Sequence, residues 1–422
     1  MKTYSKYKPA KLKWLSKIPS HWDEGKISYF FELGRGRVIS ELDLNPDGLF
    51  PVYSSQTKND GCMGFIDTYD FDGDLLTWTT DGANAGTVFY RSGKFNCTNV
   101  CGTLQPKGEL NLKFYLYYLT FANTFLQRPD TNGAKIMNNE MARIYCLIPP
   151  LNEQNRIAEY LDDQTGLIDD LIKQQEKLIF LLKEKRLSII HEAVTKGIDL
   201  SVSLKPTNVD WIGNIPNHWR IERLKFIYRI KKEISGELGH NVLSVTQKGI
   251  KIRDLENLKG QLSMDYSKYQ LVNAGDFIMN HMDLLTGFID ISKWDGVTSP
   301  DYRVFSSINK DISDQYYLYI FQFCYYNKIF FGLGQGVSQL GRWRMPAESF
   351  NNFIVPLPSL QEQLIIVEYI KKSTSLIDLI IEKEEAVIEK LYEYRQSIIS
   401  EAVTGMFDVN DWVTSKIKSQ VI

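Results

Sequence analysis

One stretch of 52 residues occurs twice in this chain of 422, the second time 209 positions after the first. Pro149 to Leu200 begins PPLNEQ and closes SIIHEAVTKGIDL; Pro358 to Val409 begins PSLQEQ and closes SIISEAVTGMFDV. The two align without a gap and nearly half of their positions are identical. A repeat of this length, separated by a long and unlike segment, means that one supersecondary unit is used twice. Any fold for the chain must therefore place two copies of the same element, each following a different globular segment.

Each copy reads as helix. Ser359 and Glu362 have the spacing of a capping box, and Pro150 stands at the matching place in the first copy, where proline is tolerated in a first turn. Thr165 and Thr374 are candidate N-caps, predicting a break near Gln164-Thr165 and Ser373-Thr374. From that break to Val194 a helix would span about 45 Å, at ~1.5 Å per residue. Leu161, Ile168, Leu182 and Ile189 follow a heptad interrupted at Gln175, flanked by Leu171, Ile172, Leu178 and Ile179. Ile370, Ile377, Leu391 and Ile398 keep the same phase, with Glu384 at the interruption and Ile380, Ile381, Val387 and Ile388 flanking. Two helices in matching register predict an antiparallel coiled coil. The apolar stripe is broader than a strict two-position seam, which leaves surface for a partner protein.

The globular segments are also related. KLKWLSKIPSHW and NVDWIGNIPNHW share a W-x-x-x-I-P-x-H-W pattern, with Trp14, Ile18, Pro19, His21 and Trp22 matching Trp211, Ile215, Pro216, His218 and Trp219. Ile-Pro disfavours helix, so the pattern reads as a loop whose tryptophans dock each segment onto its core. Neither histidine has a second ligand-type residue at metal spacing, and a structural role is expected for both. LFPVYSSQT, GDLLTWTT, GTVFYR and CGTLQP read as short strands in the first segment; NVLSVTQ, GDFIMNHMD, GFIDIS and YRVFSS read as their counterparts. Gly73-Asp74 and Gly275-Asp276 look equivalent. Each segment then carries an aromatic helix, LKFYLYYLTFANTFLQ or DQYYLYIFQFCYYNKIF, for which burial is expected over base stacking. The offset between matching positions is 197 at the tryptophans, 202 at the Gly-Asp pairs and 209 at the helices, so insertions fall only within the globular parts.

Charge follows the same division. Residues 1–150 carry 17 basic and 15 acidic side chains (+2) and residues 201–357 carry 18 and 15 (+3). Residues 151–200 carry 7 and 10 (−3) and residues 358–422 carry 7 and 11 (−4). An anionic polymer is attracted to the globular segments and repelled by the repeats. The five cysteines are scattered and odd in number, and read as free thiols. There is no phosphate loop, dinucleotide glycine motif, H-E-x-x-H, nucleophile elbow or amino-methylase tetrapeptide. No apolar run is long enough to span a bilayer, and the basic N-terminus lacks the apolar core of a secretory signal, so a cytoplasmic location is expected. Two elaborate domains without a catalytic signature point to recognition. The competing readings are a protein scaffold that ignores nucleic acid and a self-contained adenine methyltransferase.

The W-x-x-x-I-P-x-H-W motifs at Trp14 and Trp211, PPLNEQ at Pro149, PSLQEQ at Pro358, and the closing RLSIIHEAVTKG and RQSIISEAVTGM together resemble the specificity subunit of type I restriction–modification enzymes, over nearly the whole chain. The resemblance implies an α+β fold: two similar β-rich target-recognition domains separated by two long antiparallel coiled-coil helices, with an internal pseudo-two-fold. It implies boundaries at 1–150, 151–200, 201–357, 358–409 and a tail at 410–422. It also implies a non-catalytic subunit that reads a split, asymmetric double-stranded DNA target and docks two modification (methyltransferase) subunits and the restriction (motor and nuclease) subunits. No cofactor belongs to this chain; adenosylmethionine, ATP and magnesium are implied for the partners. No membrane contact is implied. Two half-sites lie about 34–36 Å apart for one turn of DNA, a distance of the same order as the expected helix.

Direct readout needs bidentate Arg, Lys, Asn or Gln on exposed loops. In the first domain the candidates are Ser54, Ser55, Gln56, Thr57, Lys135, Asn138 and Asn139. In the second they are Thr246, Gln247, Lys248, Gln335, Gln339, Arg342 and Arg344. Arg35, Arg37, Lys231 and Lys232 fit phosphate contacts, which position a duplex without specifying it.

Overall fold

The computed structural model describes residues 2–82, 84–125, 128–130, 133–254, 266–336, 343–410 and 412. The chain forms two compact units, Met1–Glu176 with Glu385–Ile422, and Lys177–Glu384. The two long helices, Leu151–Lys196 and Leu360–Val403, each contribute one part to either unit.

The first unit opens on a hairpin in which Tyr7–Pro9 pairs antiparallel with Lys17–Pro19. Asp23–Lys26 then pairs with Tyr145–Ile148, tying the start of the globular part to its end. Between them lies an antiparallel sheet in the order Phe31–Arg35, Cys101–Pro106, Leu75–Thr79, Val88–Arg91. The second unit repeats this pattern. Leu204–Pro206 pairs with Asn214–Pro216, Arg220–Arg223 pairs with Ile354–Leu357, and the sheet runs Tyr228–Lys231, Arg303–Ser307, Phe277–Met279, Ile289–Ile291. The registers correspond residue by residue: Leu104 stands between Leu33 and Leu76 as Phe305 stands between Ile230 and Phe277. This register shows that the two Gly-Asp turns lie one residue out of step before the shared strand, so they are not strict equivalents.

The aromatic helices, Leu112–Ala122 and Asp314–Tyr326, are core elements, as burial predicts. Tyr115 meets Phe31 edge-on at 5.3 Å, and Tyr317 meets Tyr228 edge-on at 5.7 Å. Outside the shared part the units diverge. The first adds a four-stranded sheet in which Lys94–Cys97 pairs parallel with Phe50–Tyr53. The second carries two two-stranded antiparallel sheets instead, the hairpin of Leu243–Thr246 with Gly249–Ile252 and the non-consecutive pair Gln270–Val272 with Gly296–Thr298.

The repeated motifs meet at the helix starts. Glu153 accepts a hydrogen bond from the Trp22 indole at 2.8 Å and pairs with His21 at 2.7 Å. Glu362 does the same for Trp219 at 3.0 Å and His218 at 2.7 Å. The next residue is also duplicated in role. Buried Gln154 accepts from the backbone of Asn111, and buried Gln363 from that of Ser313; these are the N-caps of the aromatic helices. The dyads of PPLNEQ and PSLQEQ are thus clamps: the carboxylate fixes the opening tryptophan and the amide fixes the aromatic helix. The capping box of Ser359 and Glu362 is present as predicted.

The predicted helix breaks do not form. Each long helix is continuous, and 46 residues give about 69 Å at ~1.5 Å per residue. Thr165 lies buried inside its helix and donates to the Leu161 carbonyl at 2.6 Å, so it serves the preceding turn instead of capping the next. Thr374 is buried mid-helix as well. The antiparallel pairing is seen within each unit: Asp169 binds Arg395 in the first, at 2.9 and 3.3 Å, and Arg186 binds Asp378 in the second, at 2.7 Å. Leu161, Ile168, Ile172, Ile179, Ile370, Ile377 and Ile398 are buried. Leu182, Ile189, Ile380, Ile381, Ile388 and Leu391 are partly buried. Leu171, Leu178 and Val387 are exposed, so the flanking seam is narrower than the sequence pattern predicts and these three side chains face outward.

The helix ends depart from the gapless alignment. Gly197 and Gly405 both adopt positive φ (+73° and +70°) one or two residues past their helices. Their roles coincide although the gapless alignment sets Lys196 against Gly405. The first helix runs two residues longer before the same left-handed cap.

Candidate nucleic-acid interface

The sheet register brings together candidates that lie far apart in sequence. In the second unit the strand ending at Lys231 leads into Lys232, on one side of a cleft of about 600 Å³. Gln335 and Arg344 close another side, their backbones joined by two hydrogen bonds of 2.9 and 3.0 Å. Four predicted residues, Lys231, Lys232, Gln335 and Arg344, therefore line one cavity. They are not equivalent. The Lys231 ammonium is held at 2.8 Å by both oxygens of buried Asp276, whereas Lys232 and Arg344 are exposed.

The cleft also contains two residues that sequence reasoning missed. Arg303, the first residue of the second sheet strand, is 5% exposed. Its Nη2 donates to the Met345 carbonyl at 2.8 Å and its guanidinium lies 5.0 Å from the Phe350 ring centroid. Burial lowers its pKa to about 10, with nearby Arg344 acting in the same direction and Tyr325 opposing. His281 is 4% exposed, and burial, followed by repulsion from Arg303 and Arg344, lowers it to about 3, so it is neutral at physiological pH. Neither Arg303 Nη1 nor His281 Nδ1 has a hydrogen-bond partner. The sequence offered no signal for either residue, because YRVFSS and NHMD read only as a strand and its end.

Thr246, Gln247 and Lys248 form the tip of the Leu243–Thr246 hairpin. Thr246 donates to the Gly249 carbonyl at 2.8 Å and the Gln247 amide to that of Thr286 at 3.3 Å, while Lys248 is exposed. Gln339 and Arg342 lie outside the described residues.

The first unit builds the same corner from different side chains. The end of the Phe31–Arg35 strand meets the short helix Asn138–Met141, where the Asn138 amide donates to the Gly34 carbonyl at 2.9 Å. By sheet register and helix offset, Arg35 takes the place of Lys232, and Lys135 that of Arg344. Arg35 is exposed and its Nε donates to the Asn99 carbonyl; Arg37 pairs with Asp70 at 2.8 Å; Asn139 is exposed. Ser54 to Thr57 follow the extra sheet's Phe50–Tyr53 strand, and the Gln56 amide is used within its own loop, donating to the Cys62 carbonyl. No cluster of metal-ligating side chains occurs among the described residues, and no helix among them is long and apolar enough to cross a membrane.

Comparisons with known proteins agree with this duplicated arrangement. The family model described as the type I restriction modification DNA specificity domain matches residues 19–179 and again 250–390. A putative type I specificity subunit of Mycoplasma pneumoniae is 36% identical over 204 residues, which are 46% of this chain and 58% of that protein. A second such relative from the same organism, described as an N-terminus, is 43% identical over 139 residues, or 32% of this chain and 74% of that protein. The specificity subunit of the MjaVIII type I restriction enzyme of Methanocaldococcus jannaschii is 28% identical over 429 aligned positions, covering 94% of this chain and 95% of that one. The match thus spans about half the length of some of these relatives and nearly all of another. A chain solved in work on complex assembly and conformational transition of the type I R-M system shares the fold, with a TM-score of 0.63 at 12% identity, over 93% of this chain and 100% of that one.

Proposed function

Because the chain belongs to the type I restriction–modification DNA specificity family, we propose that it is the non-catalytic subunit that reads a bipartite, asymmetric double-stranded DNA target. One observation carries this reading. A duplicated scaffold presents cations at matching positions, Arg35 and Lys135 in one unit, Lys232 and Arg344 in the other, while side chains packed beside them differ, Trp78 and Gly102 against Met279 and Arg303. Like scaffolds with unlike surfaces suit two recognition modules that read two different half-sites. The domain boundaries proposed are 1–150 and 201–357 for the two modules, 151–200 and 358–409 for the helical repeats, and 410–422 for the tail. Two modification subunits dock on the helices, whose outward Leu171, Leu178 and Val387 supply apolar contact, and restriction subunits join that core. Adenosylmethionine, ATP and magnesium serve those partners, and the assembly works in the cytoplasm.

The decisive experiment maps methylated adenines in a host that carries this chain with its partner subunits. A bipartite motif with a constant gap is expected. Exchanging residues 1–150 for the corresponding segment of another member changes one half-site alone. Lengthening the helix near Gln175 changes the gap and leaves both half-sites intact. A change in both halves after the exchange contradicts the modular reading.

A further inference from the structure

The cleft of the second unit contains a charge that the fold does not neutralise. Among the described residues no carboxylate pairs with Arg303, Arg344 or Lys232, no acid lines the cleft, and the Asp276 carboxylate is already engaged by Lys231. A buried cation without a counter-ion is costly, and the usual remedy is an anionic partner. The first unit shows that the fold itself does not require this charge. There the register position of Arg303 is Gly102, and the Trp78 ring occupies the space above it, 2.2 Å from where a Cβ would stand. The Trp78 indole donates to the Ile136 carbonyl at 2.9 Å, the same task that Arg303 performs at Met345, 209 positions later. A neutral ring therefore satisfies the scaffold in one unit, and in the other a guanidinium does so with Nη1 left over.

Resting on the DNA-recognition reading, we propose that this cleft is a phosphate site: Arg303 at its floor, with Lys232 and Arg344 at its rim, holds one backbone phosphodiester of the half-site read by the second unit. Neutral His281, with Nδ1 unpartnered, and the Gln270 and Gln335 side chains complete a polar lining that adds no negative charge. The first unit, with Trp78 in that place, has no equivalent floor, so the contact is asymmetric between the two half-sites.

The test is equilibrium binding of the full chain, with its modification subunits, to duplexes that carry or lack the target, over a salt series. Lys232→Ala and Arg344→Ala, both at exposed positions, are each expected to weaken binding about tenfold and by the same factor on every sequence, the loss of one charge-assisted contact. Each also makes the salt dependence shallower by about one unit of slope. Arg303→Met goes further, and Arg303→Lys recovers part of the loss. Ethylating single phosphates of the target then identifies one position that weakens the wild type but not Arg303→Met. If Arg303→Met does not fold, the two rim variants and the ethylation scan on the wild type decide. Unchanged affinity and slope in the rim variants overturn the site, as does a loss confined to one base identity, which marks base reading instead. Saturation by millimolar inorganic phosphate without any change in DNA affinity also overturns it, because the anion would then be free in solution. A wild type that binds DNA with no salt dependence sinks the DNA-recognition reading itself, a separate failure.

Discussion

The two units differ least where they hold the long helices, and they differ sharply at the sheet corner. Trp22 and Trp219 occupy one position, as do Glu153 and Glu362, or Gln154 and Gln363, and each pair makes the same hydrogen bonds. At the sheet corner the pairs are instead Trp78 with Met279, Gly102 with Arg303, and Thr80 with His281. Residues with one geometric task were kept through the duplication. At this corner one unit carries a neutral ring and the other a buried cation. The comparison separates the scaffold from whatever makes each half individual.

The largest expected effect tests the scaffold. Trp22 and Trp219 are 0% and 1% exposed, and their loss leaves both a cavity and an under-bonded glutamate. Trp22→Ala and Trp219→Ala should each cost about 3–5 kcal/mol. The loss should be confined to the unit that carries the change, as read by hydrogen exchange resolved along the chain. Markedly unequal costs would break the equivalence of the two clamps.

A second pair sharpens it at the helix ends. Both caps need positive φ, where alanine costs roughly 1–2 kcal/mol. A Cβ on Gly405 would also stand 2.5 Å from Pro19, whereas on Gly197 the nearest atom is in the Trp219 ring at 3.2 Å. Gly405→Ala should therefore lose about 1–3 kcal/mol more than Gly197→Ala, because Pro19 must be displaced. Denaturant midpoints of the two variants give the comparison, and equal losses would mean that the Pro19 contact relaxes freely.

Much of the scaffold was legible because duplication turns a weak pattern into a doubled one. The tryptophan motif, the strands, the aromatic helices and the seam residues Ile168 and Ile377 all stood out against their partners. The helix break was misread because a mid-helix threonine looks like a cap until its hydroxyl is seen bonding backwards, as Thr165 does to Leu161. Lys231 looked like a free cation because its partner, Asp276, lies 45 residues away and only the sheet brings them together. Arg303 was invisible for the same reason: its meaning comes from standing opposite Met279 and below Met345, neither of which is near it in the chain.

The smallest effect concerns acid, and it follows from the buried imidazole in the second unit's cleft. Burial, with Arg303 and Arg344 nearby, lowers the His281 pKa from 6.5 to about 3. Above pH 6.5 the imidazole is neutral in folded and unfolded chains alike and its contribution is constant. Between pH 6.5 and about 3 the unfolded chain takes up a proton that the folded unit refuses, so stability falls as pH falls; below that it levels off. The slope approaches about 1.4 kcal/mol per pH unit. Thr80 stands at the corresponding position of the first unit and does not titrate, so this loss belongs to the second unit alone. Glu362 enters lower on the scale. Burial raises its pKa, but hydrogen bonds from His218, Trp219 and Ser359 outweigh that and bring it down to about 2, so its support fades only from about pH 4.5 toward 2. Unit-resolved hydrogen exchange from pH 7 to 5 should therefore show the second unit loosening first, and His281→Asn should remove the difference. If both units loosen together in that window, the imidazole is not the cause, and the electrostatic contrast between the two corners is weaker than the buried guanidinium implies.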